Sequence, residues 1–316
     1  MGSTYELGTR RVAVVTGGNR GLGLATAKKL AMEGFHVVIA ARDPISGGAA
    51  ADAIRRELPG ASAESMALDL SSLASVRDFA AAYRGRGLPL HLLVNNAGLI
   101  AFERLEKSAE GFELQFATNH LGHFLLTMLL EPVLRASAPA RVVVVSSQMH
   151  MPGFGPGRGP DFRYDNLDGR QSYDAMVAYR NSKLANMWFA YALARRLEGS
   201  GVTVNALCPG FVPETGAASA HGVQRLMFRY VFPLLPQART VDQASTHMAW
   251  VATAPELASV SGRFFVDRAE RRSSDESYDV EEQERLWRYS EAAVGLSHRQ
   301  PVVVGGATPT AMDSRG

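Results

Sequence analysis

Arg11-Val12-Ala13-Val14-Val15-Thr16-Gly17-Gly18-Asn19-Arg20-Gly21-Leu22-Gly23 is the stretch that decides the fold. It opens as a short apolar run of strand type and breaks into a glycine-rich turn. Leu24 to Met32 then continues with apolar residues at helical spacing. Strand, glycine turn and helix make the first half of a βαβ unit. Gly17, Gly21 and Gly23 let the backbone turn sharply, and they let a pyrophosphate approach the free N–H groups where the helix starts. Asn19, Arg20 and Leu22 complete that loop. The strict G-x-G-x-x-G spacing is not met, because Thr26 stands where the third glycine would be; the pattern is T-G-x-x-x-G-x-G. With a strand before it, a helix after it and another strand on schedule, the loop reads as a nucleotide site rather than an ordinary turn.

That next strand is Phe35 to Ala41, followed by Arg42. An acid at this place would bind a ribose 2′-hydroxyl. Here the strand ends in Ala41-Arg42, and a guanidinium offers a planar fork to a 2′-phosphate, with Arg20 able to approach from the other side. The cofactor expected is therefore NADP(H). Asp43 complicates the reading, but it could simply pair with Arg42. Ala63 to Leu68 is a further strand, closed by Asp69-Leu70-Ser71-Ser72. Asp69 could accept from an adenine amino group, cap the helix Leu73 to Tyr83, or both. Leu90 to Val94 reads as a buried strand ending in Asn95-Asn96-Ala97-Gly98, and such small residues and amides suit the crevice that holds a cofactor. A long helix, Phe112 to Leu134, carries Asn119 in apolar surroundings, where it holds a water or caps a kink. His120 and His123 read as packing residues; with no acidic or cysteine partner nearby, no metal is expected. Alternating strands and helices give one α/β domain with a doubly wound, mostly parallel sheet and helices on both faces.

The composition agrees. The chain has 316 residues, 46% hydrophobic and 20% charged, which suits one large globular domain. A formal net charge of +2, with basic residues spread along the chain, gives no reason to propose nucleic acid or an anionic membrane as the main partner. One cysteine, Cys208, allows no intramolecular disulfide and fits a reducing compartment, so a cytoplasmic location is expected. The short polar N-terminus lacks an apolar h-region, and no apolar run is long enough for a transmembrane segment.

Tyr179-Arg180-Asn181-Ser182-Lys183 supplies the chemistry. A tyrosine and a lysine four apart on a helix share one face. Free tyrosine titrates near pKa ~10, and bringing it to neutrality takes roughly 4 kcal/mol. One cation about 4 Å away, at an effective dielectric near 20, supplies about that much. The pair is thus an acid/base couple for neutral pH. Arg141 to Val145 is a strand running into Ser146-Ser147, and Val202 to Leu207 runs into Cys208-Pro209-Gly210-Phe211-Val212-Pro213-Glu214-Thr215.

Thr16-Gly17-x-x-x-Gly21-x-Gly23, Asn95-Asn96-Ala97-Gly98, Asn119, Ser147, Tyr179-x-x-x-Lys183 and Pro209-Gly210-x-x-x-Thr215 stand in the order and rough spacing of the short-chain dehydrogenase/reductase family. The chain resembles that family almost throughout, to about Leu296. Asn119-His120-Leu121-Gly122-His123-Phe124, Ser182 to Asn186 and the C-terminal third most resemble the branch of retinol dehydrogenase-like enzymes and light-dependent protochlorophyllide reductase. The resemblance implies a Rossmann-type fold and roles position by position. Tyr179 would be the general acid/base. Lys183 would lower its pKa and hold the nicotinamide ribose. Ser147 would bond the substrate oxygen, and Asn119 would hold a relay water. Pro209, Gly210, Val212 and Thr215 would bind the carboxamide side of the cofactor. Gly17, Asn19, Arg20, Gly21, Leu22, Gly23, Arg42, Asp69, Leu70, Asn96, Ala97 and Gly98 would hold the rest. Protochlorophyllide reductase has a cysteine where this chain has Phe211, so the light-driven reaction is not implied. Microsomal retinol dehydrogenases usually carry an N-terminal anchor, and none is expected here.

The expected organisation is an extension at 1–9, one domain at 10–296 and a disordered tail at 297–316. Residues 148–175 read as an inserted substrate-side loop. Its aromatics, Phe154, Phe162, Tyr164 and Tyr173, suggest a lid over a larger substrate. Residues 211–238 form a second substrate-side segment; Met227 to Leu235 reads as a pocket wall, a helix packed on the core or a membrane contact. Glu281 to Leu296 is an amphipathic helix docked by Leu286, Trp287 and Val294. The activity expected is NADPH-dependent hydride transfer between the nicotinamide and a carbonyl or alcohol carbon of a small apolar substrate, with or without rings. Reduction of a conjugated C=C bond is the alternative within enzymes, and a catalytically silent NADP(H)-sensing protein the alternative outside them. Monomer and homo-oligomer both stay open.

Overall fold

Val12 and Val14 point to one face of the sheet while Ala13 and Val15 point to the other, and each set enters a different core. All five residues of this first strand, β1 (Val12–Thr16), are buried, as a central parallel strand requires. A computed structural model describes residues 10–100, 104–155, 157–217 and 226–296. The expected extension at 1–9 and tail at 297–316 lie outside the described residues.

After β1 come α1 (Gly21–Met32), β2 (His36–Ala41), α2 (Pro44–Glu57), β3 (Ser62–Ala67), α3 (Leu73–Gly85) and β4 (Leu92–Asn95). The second half holds α4 (Leu114–Phe116), a π-helical turn (Ala117–Leu121), α5 (Gly122–Ala136), β5 (Ala140–Val145), α6 (Ala175–Arg196) and β6 (Val202–Cys208). It closes with α7 (Pro213–Ala217), α8 (Val241–Thr253), β7 (Arg263–Val266), β8 (Ala269–Glu270) and α9 (Val280–Ala293).

Among the described residues the sheet has eight strands in the order β3-β2-β1-β4-β5-β6-β7-β8. All pairs are parallel except β7 with β8, an antiparallel edge the sequence reading did not foresee. Strand order reverses between β1 and β4, and beyond the carboxyl ends of those strands lies the crevice where such sheets bind ligands. One core, with Val76, Phe79, Phe124, Leu125, Trp188 and Phe189, packs α3, α5 and α6 on one face. The other, with Leu30, Ile54, Met248 and Val251, packs α1, α2 and α8 on the opposite face. α9 docks as expected: Leu286, Trp287 and Val294 are buried, and the Trp287 ring stands edge-on to Phe124 at 5.0 Å.

The expected single helix from Phe112 to Leu134 is interrupted. Glu113 caps α4 through the N–H groups of Gln115 and Phe116, and the backbone widens into the π turn at Ala117–Leu121, which contains Asn119. Such single π turns gather at functional sites.

Candidate active site

Thr16 ends β1 and is fully buried. Its hydroxyl accepts the N–H groups of Asn96 (2.9 Å) and Ala97 (3.0 Å), while the Asn96 side chain donates to the Thr16 carbonyl at 2.7 Å. The ends of the two strands at the switch point are thereby fixed against each other. Gly17 and Gly21 have φ of 65° and 51°, in the left-handed region that favours glycine. A Cβ on Gly23 would lie 2.2 Å from the Gly17 carbonyl oxygen and 2.6 Å from Asn96 Nδ2. The turn is therefore tight enough for its N–H groups to face a pyrophosphate directly, and the residues fit a dinucleotide. Thr215 Cγ2 approaches the same loop, 3.5 Å from the Cβ position of Gly21, so the segment after β6 closes over the groove. Val212 is buried there, and the Thr215 hydroxyl donates to its carbonyl.

Asn19 donates to Ser46 at the start of α2. Arg42, at the end of β2, and Arg20, just before α1, are both exposed at this edge. Asp43 does not pair with Arg42; its carboxylate accepts the N–H groups of Ile45 and Ser46 and caps α2. Those bonds hold its pKa below the usual carboxylate range. Asp69 does not cap α3 either. Ser72 does that, and Asp69 accepts from the backbone and hydroxyl of Ser71 in a local turn. Leu70 is buried, and its carbonyl would lie 2.3 Å from a Cβ on Gly122, so the start of α5 is pressed onto the segment just after β3.

α6 brings the proposed chemistry to the end of β5. Lys183 is buried, and its Nζ donates to the Val145 carbonyl at 3.1 Å, while the Ser146 hydroxyl donates to the Lys183 carbonyl at 2.9 Å. The hydroxyl of Ser147, two residues beyond Val145, sits near enough to Tyr179 to favour its ionised form. It also accepts the N–H of Met149 at 3.2 Å. Gly98 lies close by, its Cβ position 3.6 Å from Lys183 Nζ and 3.8 Å from Asn119 Oδ1. Asn119 itself is fully buried. Its side chain exchanges two bonds with the Leu99 backbone and donates to Ser182 at 2.9 Å. The amide nitrogen thus has both its donors used, while Oδ1 accepts the Leu99 N–H and keeps a second lone pair.

The electrostatics correct one expectation. Tyr179 is not drawn down toward neutrality. Desolvation pushes its pKa up to about 12, against a lowering contribution from the Ser147 hydrogen bond. Lys183 Nζ stands 5.6 Å from the centroid of the Tyr179 ring and reaches toward Val145 instead. Burial lowers Lys183 to about 8. Helical spacing places the two side chains on one face, but burial decides their titration.

The substrate side also departs from expectation. Phe162 and Tyr164 do not form a lid. Phe162 packs on Trp188 and Phe116, and Tyr164 on Tyr289 of α9. A cavity of about 180 Å³ between this insert and the start of α6 is lined by Glu113, Arg163, Tyr173, Asp174 and Asn181, and includes none of Asn119, Ser147, Tyr179 and Lys183. Within 211–238, Leu226, Tyr230 and Leu234 are exposed rather than packed on the core, while Phe232 meets Phe211 at 5.9 Å.

Two residues escaped the sequence reading. His150 is fully buried; its Nδ1–H donates to the Ser147 carbonyl at 2.5 Å and its Nε2 accepts the Ser274 N–H at 3.2 Å. Arg180 is fully buried beside Tyr179. Its position inside the quoted motif was the available signal; His150 left none. Cys208, although buried, accepts the N–H groups of Gln148 and Gly210, both at 3.4 Å, and so fixes the start of the segment after Ser147.

A family model described as short chain dehydrogenase matches residues 11–155. Human retinol dehydrogenase 14 is 39% identical over 301 residues, covering 90% of this chain and 87% of that protein. Mouse polyprenol dehydrogenase is 41% identical over 283 residues, covering 88% and 82%. Among solved structures, an uncharacterised protein of Mycobacterium paratuberculosis superposes with TM-score 0.69 and 31% identity over 90% of this chain and 93% of its own. The Pseudomonas aeruginosa RhlG/NADP active-site complex does so with TM-score 0.64 and 27% identity over 81% and 93%.

Proposed function

The chain belongs to the short-chain dehydrogenase family, and on that premise we propose that it is an NADP(H)-dependent oxidoreductase interconverting the carbonyl and alcohol of a long apolar, retinoid- or isoprenoid-like substrate. The observation that carries the reading is buried Lys183 at the carboxyl end of β5, its Nζ 5.6 Å from the Tyr179 ring and close to Gly98, with Ser147 beside them. The substrate class rests on the relatives, a retinol dehydrogenase and a polyprenol dehydrogenase. The cofactor choice rests on Arg20 and Arg42, exposed at the groove's edge with Asp43 engaged elsewhere.

Gly17, Asn19, Arg20, Gly21, Leu22 and Gly23 would hold the pyrophosphate, and Arg20 and Arg42 the 2′-phosphate. Asp69 and Leu70 would flank the adenine, Asn96, Ala97 and Gly98 the ribose, and Pro209, Gly210, Val212 and Thr215 the carboxamide. When bound, the nicotinamide supplies or accepts the hydride. In reduction, charge develops on the substrate oxygen as the hydride reaches carbon. Ser147 donates to that oxygen and Tyr179 gives up its proton, completing the alcohol. With its pKa raised to about 12, Tyr179 is protonated at neutral pH, which suits the reductive direction. Lys183, near 8, is mostly charged at neutral pH and stabilises the tyrosinate left behind.

The test is NADPH oxidation against long aliphatic aldehydes, retinal and fused-ring ketones, with product analysis, comparing wild type and Tyr179→Phe. Loss of roughly 10²- to 10⁴-fold in kcat with NADPH binding kept is expected. Turnover that survives the substitution would exclude Tyr179 as the proton donor.

A further inference from the structure

None of the three residues between Tyr179 and Lys183 is a mere spacer. The Ser182 hydroxyl accepts from the Asn119 side chain at 2.9 Å. Asn181 accepts the N–H of Asp161 at 2.8 Å and donates to its carbonyl at 2.9 Å. Arg180, fully buried, donates through Nη1 to the carbonyls of Phe154 (2.7 Å) and Met149 (3.3 Å).

Burying a guanidinium is costly, and a methionine of similar reach would fill the same space without that desolvation. What the guanidinium adds is directed bonds, those to the Phe154 and Met149 carbonyls among them. They close the stretch from Ser147 to Phe154 onto α6. Met149, whose carbonyl Arg180 holds, donates its own N–H to the Ser147 hydroxyl at 3.2 Å. That N–H takes up one Ser147 lone pair and so restricts how the hydroxyl can turn. Past Met149 the segment is tied down at buried His150, and beyond it the backbone turns on glycines. Gly153 and Gly155 have φ of 72° and 73°, and the Phe154 side chain is 42% exposed. A Cβ on Gly155 would stand 3.0 Å from Met149 Sδ and 3.5 Å from Arg180 Nη2, so the guanidinium packs directly against this turn.

We propose that Arg180 is the positioning residue for Ser147 and for the substrate-side wall at 149–155, and that it thereby sets how bulky a carbonyl substrate the site turns over. The proposal deepens the reductase reading and rests on it for the substrate effect, not for the contact itself.

The experiment compares wild type, Arg180→Met, Arg180→Lys and Gly155→Ala. Three readouts are taken: NADPH affinity by fluorescence, kcat and KM with benzaldehyde and with retinal, and amide hydrogen exchange of 149–155. NADPH affinity should stay within about twofold, because no cofactor contact is touched. Arg180→Met should lower kcat with both substrates by about ten- to a hundredfold, the scale of a misplaced catalytic group. It should raise KM for retinal more than for benzaldehyde, and speed exchange at 149–155. Arg180→Lys should recover part of each effect. A folded, NADPH-binding Arg180→Met enzyme with wild-type kinetics and exchange would overturn the proposal. If that variant does not fold, Gly155→Ala decides: lower kcat and faster exchange at intact NADPH affinity support the proposal, and unchanged values overturn it. If the wild type reduces no carbonyl, the reductase reading fails, and exchange alone then decides whether Arg180 holds the wall.

Discussion

His123 Nε2 lies 2.9 Å from the Thr16 hydroxyl, and its Nδ1 lies 3.0 Å from the Asn119 carbonyl oxygen. A carbonyl only accepts, so Nδ1 carries the proton and Nε2 receives the Thr16 O–H. Thr16 in turn receives the N–H groups of Asn96 and Ala97. A neutral, buried imidazole therefore spans from the end of β1 to the π turn, a more specific place than the packing role its sequence context suggested.

That placement makes stability depend on acid. Burial lowers His123 to about 4 and His120 to about 3, below the ~6.5 of an unfolded chain. Between those limits the unfolded state binds more protons, so the stabilisation is full above pH ~6.5 and is lost as pH falls toward the folded values. The loss should reach a few kcal/mol by pH ~4.5. Thermal unfolding measured from pH 7.5 to 4.5 should show a falling Tm, with a shallower slope in His123→Gln. An unaltered slope would remove His123 from this account.

Lys183 should be a residue that costs stability and supplies activity. Its pKa near 8 lies below the ~10.4 of an exposed lysine, so at pH 7 the fold carries a buried charge. Lys183→Met should raise the Tm of the cofactor-free protein at pH 7 by a few degrees, on the order of 1–2 kcal/mol after the lost Val145 bond is counted. The gap should narrow from pH 8 to 10.5, where the unfolded chain holds the extra proton and wild type gains stability. Activity should fall by at least about 10²-fold. A lower Tm at pH 7 would mean that the charge is better compensated than Val145 alone allows.

What the sequence made legible was local. The T-G-x-x-x-G-x-G turn, the strand runs and the alternation of elements depend on neighbours within a few residues, and the family and the doubly wound sheet follow from them. What it concealed depends on distance or burial. Asp43 and Ser72 capture helix starts that neighbouring acids and serines could equally have taken. Phe162 and Tyr164 read as lid residues because their partners, Trp188 and Tyr289, are far along the chain. Tyr179 titrates high because its desolvation outweighs a spacing argument, and no i, i+4 rule carries information about dielectric.

Gly23 should tolerate no side chain. A Cβ there would stand 2.2 Å from the Gly17 carbonyl oxygen and 2.6 Å from Asn96 Nδ2, the latter held by its bond to the Thr16 carbonyl. Gly23→Ala must therefore displace backbone, at a cost of about 1–3 kcal/mol. The displaced N–H groups are those proposed to meet the pyrophosphate, so NADPH affinity should drop more than tenfold while the catalytic face of α6 keeps its geometry. Fluorescence titration together with thermal unfolding checks both effects. Wild-type affinity in this variant would place the pyrophosphate elsewhere.

Arg42 should decide between the two nicotinamide cofactors. It is exposed at the end of β2, and the adjacent Asp43 carboxylate is fully committed to capping α2. The guanidinium is therefore available to a 2′-phosphate, and a charged hydrogen bond of this kind contributes about 1.5–3 kcal/mol. Arg42→Ala should weaken NADPH binding by roughly ten- to a hundredfold and leave NADH binding nearly unchanged, because NADH has no 2′-phosphate for the arginine to hold. Arg20→Ala should act in the same direction. If Arg20 and Arg42 share the phosphate, the double variant should lose less than the two single losses combined. Titrating wild type and the three variants with both cofactors, at low and at high salt, separates a specific pair from general charge attraction. Equal losses for NADPH and NADH in Arg42→Ala would mean that the residue supports the loop rather than reads the phosphate.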